Sequence, residues 1–213
     1  YEIHDKTILE RVINNYQSLN AKFIFIIGEK EEAKYHLSSI SNTLADTNGE
    51  IISVKQRTSG ALCSCLLAID HLDDNEELII ANTDQLFSKD FSNILEKVDK
   101  DADAAVFSFR SVHPRWSYSY SKNGKVQSIR EKHPFTKQAL AGVYYFRKSI
   151  YFKDCAFSCL EKERSIDSIY YVAPSINELV LNGYYVQNIS LEEDMFHQLY
   201  SSSKVVSFEN SLN

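Results

Sequence analysis

Leu78-Ile79-Ile80-Ala81-Asn82-Thr83-Asp84 is the stretch on which the fold turns. Four apolar residues stand in a row and stop abruptly at polar Asn82, Thr83 and Asp84. An uninterrupted apolar run of this length reads as a strand buried on both faces, as in a parallel sheet. Similar runs recur on either side of it: Phe23-Ile24-Phe25-Ile26-Ile27, Ile51-Ile52-Ser53-Val54 and Ala104 to Phe109. Between them the apolar spacing changes to that of helices. Ile8, Leu9, Val12, Ile13 and Tyr16 form one stripe, and Glu31–Leu44, Ala61–Leu72 and Phe91–Val98 follow the same period. Alternation of this kind predicts an α/β fold, with a mostly parallel sheet flanked by helices on both faces. The four runs are expected in one sheet.

The pattern changes after Arg110. Trp116, Tyr118 and Tyr120 alternate with Ser, as in a half-exposed strand, and Asn123-Gly124 is a two-residue hairpin signal. Val126–Glu131 reads as the return strand, which adds a small antiparallel hairpin excursion. Val143–Phe146 is one more strand. Helices are expected over Ser149–Leu160 and Ser168–Leu181, the second stopping at Asn182-Gly183, then a strand over Tyr184–Ile189. The polar tail from Ser201 to Ser203 reads as loose. Neither a repeat nor a linker interrupts residues 1–213, which read as a single domain.

With 213 residues, 44% hydrophobic and 24% charged, the chain can bury a core without disulfides or metals. A formal charge of −6 without a Lys/Arg block argues against nucleic-acid binding. Four cysteines are too few for a disulfide framework, which points to reduced thiols in a cytoplasm. Cys155 and Cys159 share a helix, but no nearby His or second Cys pair completes a metal set. No apolar run is long enough to span a membrane, and no signal peptide is visible.

Three places can carry chemistry. Asp84 ends a buried strand, and ligands of open α/β sheets bind beyond the strands' carboxyl ends. A carboxylate there suits a hard divalent cation bridging phosphates; the plainer reading is a cap for the next helix. Thr58-Ser59-Gly60-Ala61 joins a strand to a helix. Gly60 lets backbone approach a flat ligand, Thr58 or Ser59 can cap the helix, and its first amides can face an anion or a base. Glu131-Lys132 can pair a sugar hydroxyl with a phosphate, or be a surface ion pair of little energetic value. No GxGxxG or Walker loop is present.

Taken in order, these segments resemble the sugar-1-phosphate nucleotidyltransferases, of glycosyltransferase-A type Rossmann-like fold. The similarity runs through Thr58-Ser59-Gly60-Ala61, Ile80 to Gln85, Val112 to Tyr118, Glu131-Lys132-His133-Pro134, Ala141 to Phe146, and Tyr171 to Leu179. The resemblance implies catalysis by Asp84 and Lys132, with Asp84 also holding Mg2+. It implies that Thr58, Ser59, Gly60 and Ala61 face the base, that Glu131 binds sugar hydroxyls, and that Gly142 admits the sugar close to backbone. The implied partners are a nucleoside triphosphate and a sugar-1-phosphate, in polysaccharide or surface-glycan biosynthesis; a homo-oligomer is compatible. The family's opening strand and glycine-rich triphosphate loop are not matched, since Tyr1 to Lys6 aligns just after them. The expectation is an N-terminally incomplete domain that does not turn over at an enzyme-like rate. The second metal ligand, a late Asp, is also unmatched: that stretch reads His197-Gln198-Leu199-Tyr200-Ser201, and Asp194 is out of register. A glycosyltransferase of the same fold type and a degenerate, non-catalytic nucleotide-sugar-binding module are the alternatives.

Overall fold

A computed structural model describes residues 2–3, 6–37 and 49–211. The strands are β1 (Glu2–Ile3), β2 (Lys6–Thr7), β3 (Ile24–Gly28), β4 (Glu50–Val54), β5 (Leu78–Ala81) and β6 (Gln85–Phe87). They continue with β7 (Ala104–Arg110), β8 (Ser117–Lys122), β9 (Lys125–Glu131), β10 (Gln138–Phe146), β11 (Val186–Ser190) and β12 (Phe196–Gln198). The helices are α1 (Ile8–Asn14), α2 (Glu29–Tyr35), α3 (Ala61–Leu66), α4 (Phe91–Leu95), α5 (Ser149–Glu161), α6 (Val172–Ser175), α7 (Asn177–Leu181) and α8 (Ser202–Ser211). The helical reading of Glu31–Leu44 lies outside the described residues from position 38 onward.

The main sheet has six strands in the order β5-β10-β7-β11-β9-β8. β5 and β7 both pair antiparallel with β10, and β7 pairs parallel with β11. β5, β7 and β11 therefore share one direction, and β10 runs back between the first two. Side chains alternate across this sheet as a strand's period of two requires. Ala105, Phe107, Val143 and Tyr145 enter one apolar cluster with residues of α1, α4 and α8. Ala104, Val106, Tyr144 and Phe146 enter the other, with residues of α3, α5, α6 and α7. Helices cover both faces, and the α/β class with parallel elements stands.

The expectation that four apolar strands share one sheet is corrected. β3 and β4 form their own parallel pair, and no described strand joins β3 to β5. Within the six-stranded sheet β5 and β7 are not neighbours, because β10 takes the place between them. Apolar continuity says that a strand is covered, not which strand lies beside it. The cost shows in burial: Ile24 to Ile27, and Leu78 to Ile80 at the edge of the main sheet, are only half-buried, whereas Ala104 to Phe107 in its centre are fully buried.

Two local expectations are also revised. The residues from Ser168 to Leu181 form two short helices rather than one. Asp167 and Ser168 have φ of 51° and 62°, which no helix tolerates, and α6 begins late enough to hold Pro174 in its first turn. The tail is ordered as α8, whose Val205 is 3% exposed and whose Phe208 packs on the first cluster. The hairpin turn is as expected, with Asn123 and Gly124 both at positive φ (50° and 76°).

Candidate functional site

The shared direction of β5 and β7 brings their carboxyl ends to one edge of the sheet. Asp84 follows β5 and the loop 111–116 follows β7. The register opposes Val143 to Ala81 and Gln138 to Arg110, so the first half of β10 lies at the same edge. β10 is irregular between Leu140 and Tyr144, and Gly142 stands in that bulge with φ of 75°. A Cβ there would meet Asn82 Nδ2 at 3.1 Å and the Gln85 carboxamide closer still. Gly142 therefore lies against the residues that flank Asp84.

Asp84 is pinned through its backbone. Its carbonyl accepts from Leu199 N at 2.7 Å, and β6 and β12 pair just beyond it, Gln198 opposite Gln85. Burial raises the pKa of the Asp84 carboxyl above the ordinary carboxylate value, offset in part by its own backbone and by the nearby Arg115 charge. Gln85 is 1% exposed and its Oε1 has no partner; the Oε1 of Gln198 is likewise buried and unpartnered. Directly opposed residues project to the same face of a ladder, so two carboxamide acceptors are left wanting donors beside Asp84. A buried acceptor without a donor costs about 1–3 kcal/mol, which a ligand or water donating there would recover.

The Thr58–Ala61 turn packs against Tyr170. Ser59 O accepts from Tyr170 N at 2.7 Å, and Leu62 N donates to Tyr170 O at 3.1 Å. Gly60 is caught between these bonds with φ of 126°, so that a Cβ would strike the backbone of Tyr170. The expected side-chain cap is absent. Gly60 itself is the N-cap, while the Thr58 hydroxyl donates to Gly60 O at 3.0 Å and meets Ser64 Oγ at 2.7 Å. A glycine held by its own carbonyl leaves neither Thr58 nor Ser59 in position to cap. Ser59 and Ala61 are exposed beside this turn.

Glu131 ends β9, and Lys132 opens the loop after it. Glu131 pairs with Ser117 in the β8–β9 ladder, and the Ser117 hydroxyl donates to its carboxylate. Burial raises the Glu131 pKa, against the lowering effects of Ser117 and Lys132. Lys132 N donates to Trp116 O at 2.9 Å, and Lys132 Nζ donates to Tyr171 OH at 2.8 Å. That bond raises the ammonium's pKa. No hydrogen bond or ion pair joins Lys132 to Asp84; the link runs through the Arg115-Trp116 loop. In the other direction Tyr171 leads to Tyr170 and so to Gly60. Tyr170 and Tyr171 thus bridge two candidate segments.

Arg115, Gln85, Gln198 and Tyr200 were not legible as site residues. Arg115 sits in the proline-containing loop after β7 and Tyr200 beyond a three-residue strand, and the β6–β12 pairing sets Gln198 opposite Gln85 and Leu199 on Asp84. Among the described residues no group of three or more His, Cys, Asp or Glu forms a metal cluster. Asp84 offers one carboxylate, flanked by carboxamides. That set fits Mg2+ only as an ion shared with substrate phosphates, the usual manner in which Mg2+ is held by one or two carboxylates.

The chain is thus an α/β domain with helices on both faces of its main sheet and polar loops beyond the carboxyl ends of β5 and β7. Residues 2–190 match the model of the nucleotidyl transferase family, and the chain belongs to that family. Among solved structures it is similar to a nucleoside-diphosphate-sugar pyrophosphorylase from Vibrio cholerae RC9, with TM-score 0.84 at 18% identity, covering 99% of this chain and 90% of the other. It is also similar to the inositol-1-phosphate CTP transferase from T. maritima, with TM-score 0.76 at 13% identity, covering 100% and 85%. Likeness at such identities carries the fold alone. A search of curated proteins finds no match. No described helix is long and apolar enough to cross a membrane.

Proposed function

We propose that the protein joins a nucleoside triphosphate to a sugar-1-phosphate, giving a nucleotide-sugar and pyrophosphate for polysaccharide or surface-glycan synthesis in the cytoplasm. The observation that carries this reading is Asp84, half-buried and without a cation partner in contact, beside the Gly142 bulge at the carboxyl edge of the sheet. A phosphate oxygen of the sugar-1-phosphate attacks the α-phosphorus. The bond to the β-phosphate breaks in line, and pyrophosphate leaves with the electron pair. Catalysis then rests on positioning and on charge placed where it develops. Asp84 would hold Mg2+, which when bound neutralises phosphate charge. Lys132, released from Tyr171, would meet the sugar phosphate. Glu131, oriented by Ser117, accepts from sugar hydroxyls. Gly142 leaves room for a sugar ring against β10, and Thr58 to Ala61, clamped to Tyr170, present backbone to the base.

The test is pyrophosphate release by the protein with Mg2+, a panel of nucleoside triphosphates and several sugar-1-phosphates, run beside calorimetric binding of the same compounds. Turnover with one pair of substrates supports the reading and overturns the expectation that residues 1–213 do not turn over at an enzyme-like rate. Binding of nucleotide-sugars without turnover selects the non-catalytic module, and transfer of sugar from a nucleotide-sugar selects the glycosyltransferase. Asn82 stands where an Asp-x-Asp pair would need its first carboxylate, which disfavours the last.

A further inference from the structure

We propose that Arg115 is a phosphate-binding residue of this site, its guanidinium face seated on Tyr200 and its N–H edge presented to the phosphate of a nucleotide or sugar phosphate lying beside Asp84. The inference rests on the nucleotidyl-transfer reading and adds to it a cation that the sequence pattern did not assign.

The loop that carries Arg115 is built to hold it. Tyr118 OH donates to His113 O at 2.7 Å, His113 N donates to Ser111 Oγ at 3.2 Å, and Arg115 N approaches His113 Nδ1 at 3.3 Å. Trp116, the next residue, is wedged edge-on against Phe109 with ring centroids 5.0 Å apart, and its carbonyl accepts from Lys132 N. The guanidinium carbon lies 3.4 Å above the Tyr200 ring and 5.2 Å from the Trp116 ring. Tyr200 is in turn placed by its neighbour Leu199, whose N–H bonds Asp84 O. One short strand pairing therefore sets both the carboxylate and the platform for the arginine.

Stacking uses the face of a guanidinium and leaves its in-plane donors free. In Arg115 those donors make no hydrogen bond or ion pair with any described residue. The guanidinium rests on Tyr200, the residue after Leu199, whose N–H bonds Asp84 O. Two opposite charges stand near each other without forming a contact pair. A planar donor fork of this kind matches phosphate oxygens two at a time. A surface arginine that merely packed on an aromatic ring would gain little. The charge order across the site, carboxylate then guanidinium, is the order that a cation-bound phosphate would complete.

The chain's single tryptophan is Trp116, so intrinsic fluorescence reports on this loop directly. The experiment titrates the full chain with inorganic pyrophosphate, with each nucleoside triphosphate and with sugar-1-phosphates, with Mg2+ and with chelator. Trp116 emission is followed, with calorimetry in parallel. The wild type is expected to bind at least one probe. Arg115→Gln is expected to bind it about 10–100-fold more weakly, the scale of hydrogen bonds to a charged group. Arg115→Lys keeps the charge but loses the fork, so it recovers part of the affinity and becomes more sensitive to salt. Tyr200→Leu removes the seat and weakens binding by a smaller factor. The responding probe distinguishes nucleotide phosphate from sugar phosphate. Arg115 is exposed, so these variants should unfold with the wild type; if the Gln variant does not fold, the Lys variant carries the comparison. Equal affinity in wild type and Arg115 variants overturns this inference and leaves the nucleotidyl-transfer reading standing. Failure of the wild type to bind any probe overturns both.

Discussion

Gly60→Ala tests how rigidly the Thr58–Ala61 turn is fixed. Gly60 has φ of 126° and ψ of 175°, backbone that only glycine occupies freely; forcing another residue into such a region costs about 1–3 kcal/mol. The added Cβ would lie 2.8 Å from both Tyr170 N and Ile169 Cγ2, and nearer still to Tyr170 O. Tyr170 cannot retreat, because its N–H and carbonyl are bonded to Ser59 O and Leu62 N at 2.7 and 3.1 Å. Overpacking against anchored atoms adds about 1–3 kcal/mol, for a total of about 4 kcal/mol. In a chain of this size each kcal/mol moves Tm by about 2–4 °C, so a fall of about 8–16 °C is expected. The control is Gly183→Ala, which shares a positive φ of 82° but has nothing within 4 Å of the new Cβ; it should lose only the backbone term, about 1–2 kcal/mol. Thermal unfolding of the three proteins by circular dichroism decides the matter. Equal losses at Gly60 and Gly183 would refute the clamp between the turn and Tyr170.

Asp84→Asn should leave Tm unchanged or raised at pH 7–8, because burial lifts the carboxyl's pKa and so disfavours its charged form in the folded state; it should abolish Mg2+-dependent nucleotide binding, and a clear loss of Tm would contradict the assignment. Glu178 is 3% exposed; burial works to raise its pKa, but hydrogen bonds from Lys162 and Ser158 and the charges of Lys162 and Arg164 outweigh this and lower it. Its contribution is therefore complete above the unfolded carboxylate value near 4.5 and is lost as pH falls through the lowered folded value. Glu178→Gln should cost about 1–3 kcal/mol at neutral pH, its cationic partners being half-exposed, and should flatten the acid limb of the stability curve; parallel limbs would argue against it. Val205→Asp should destabilise by about 2–4 kcal/mol if α8 is docked, whereas chemical denaturation with an unchanged midpoint would mean that the tail does not pack.

The sequence determined the class and most of the larger elements. Apolar runs at Phe23, Ile51, Leu78 and Ala104, separated by helical periods, point to strands alternating with helices, and Asn123-Gly124 carries its own turn geometry. It also placed Asp84 just past a strand's carboxyl end, because the apolar run stops where polar residues begin. These are short-range facts: burial and backbone preference act within a few residues. Which strands are neighbours was decided only by the tertiary structure. The long strand β10 slots between β5 and β7 and leaves β3 and β4 as a pair, and nothing in an apolar run encodes its partner. The same holds for the site. Gly142 meets Asn82 and Gln85, Tyr170 brackets Gly60, and Tyr200 receives Arg115 only after β6 and β12 have paired. Side-chain chemistry is written residue by residue, but the distance between two charges is set by the packing of everything between them.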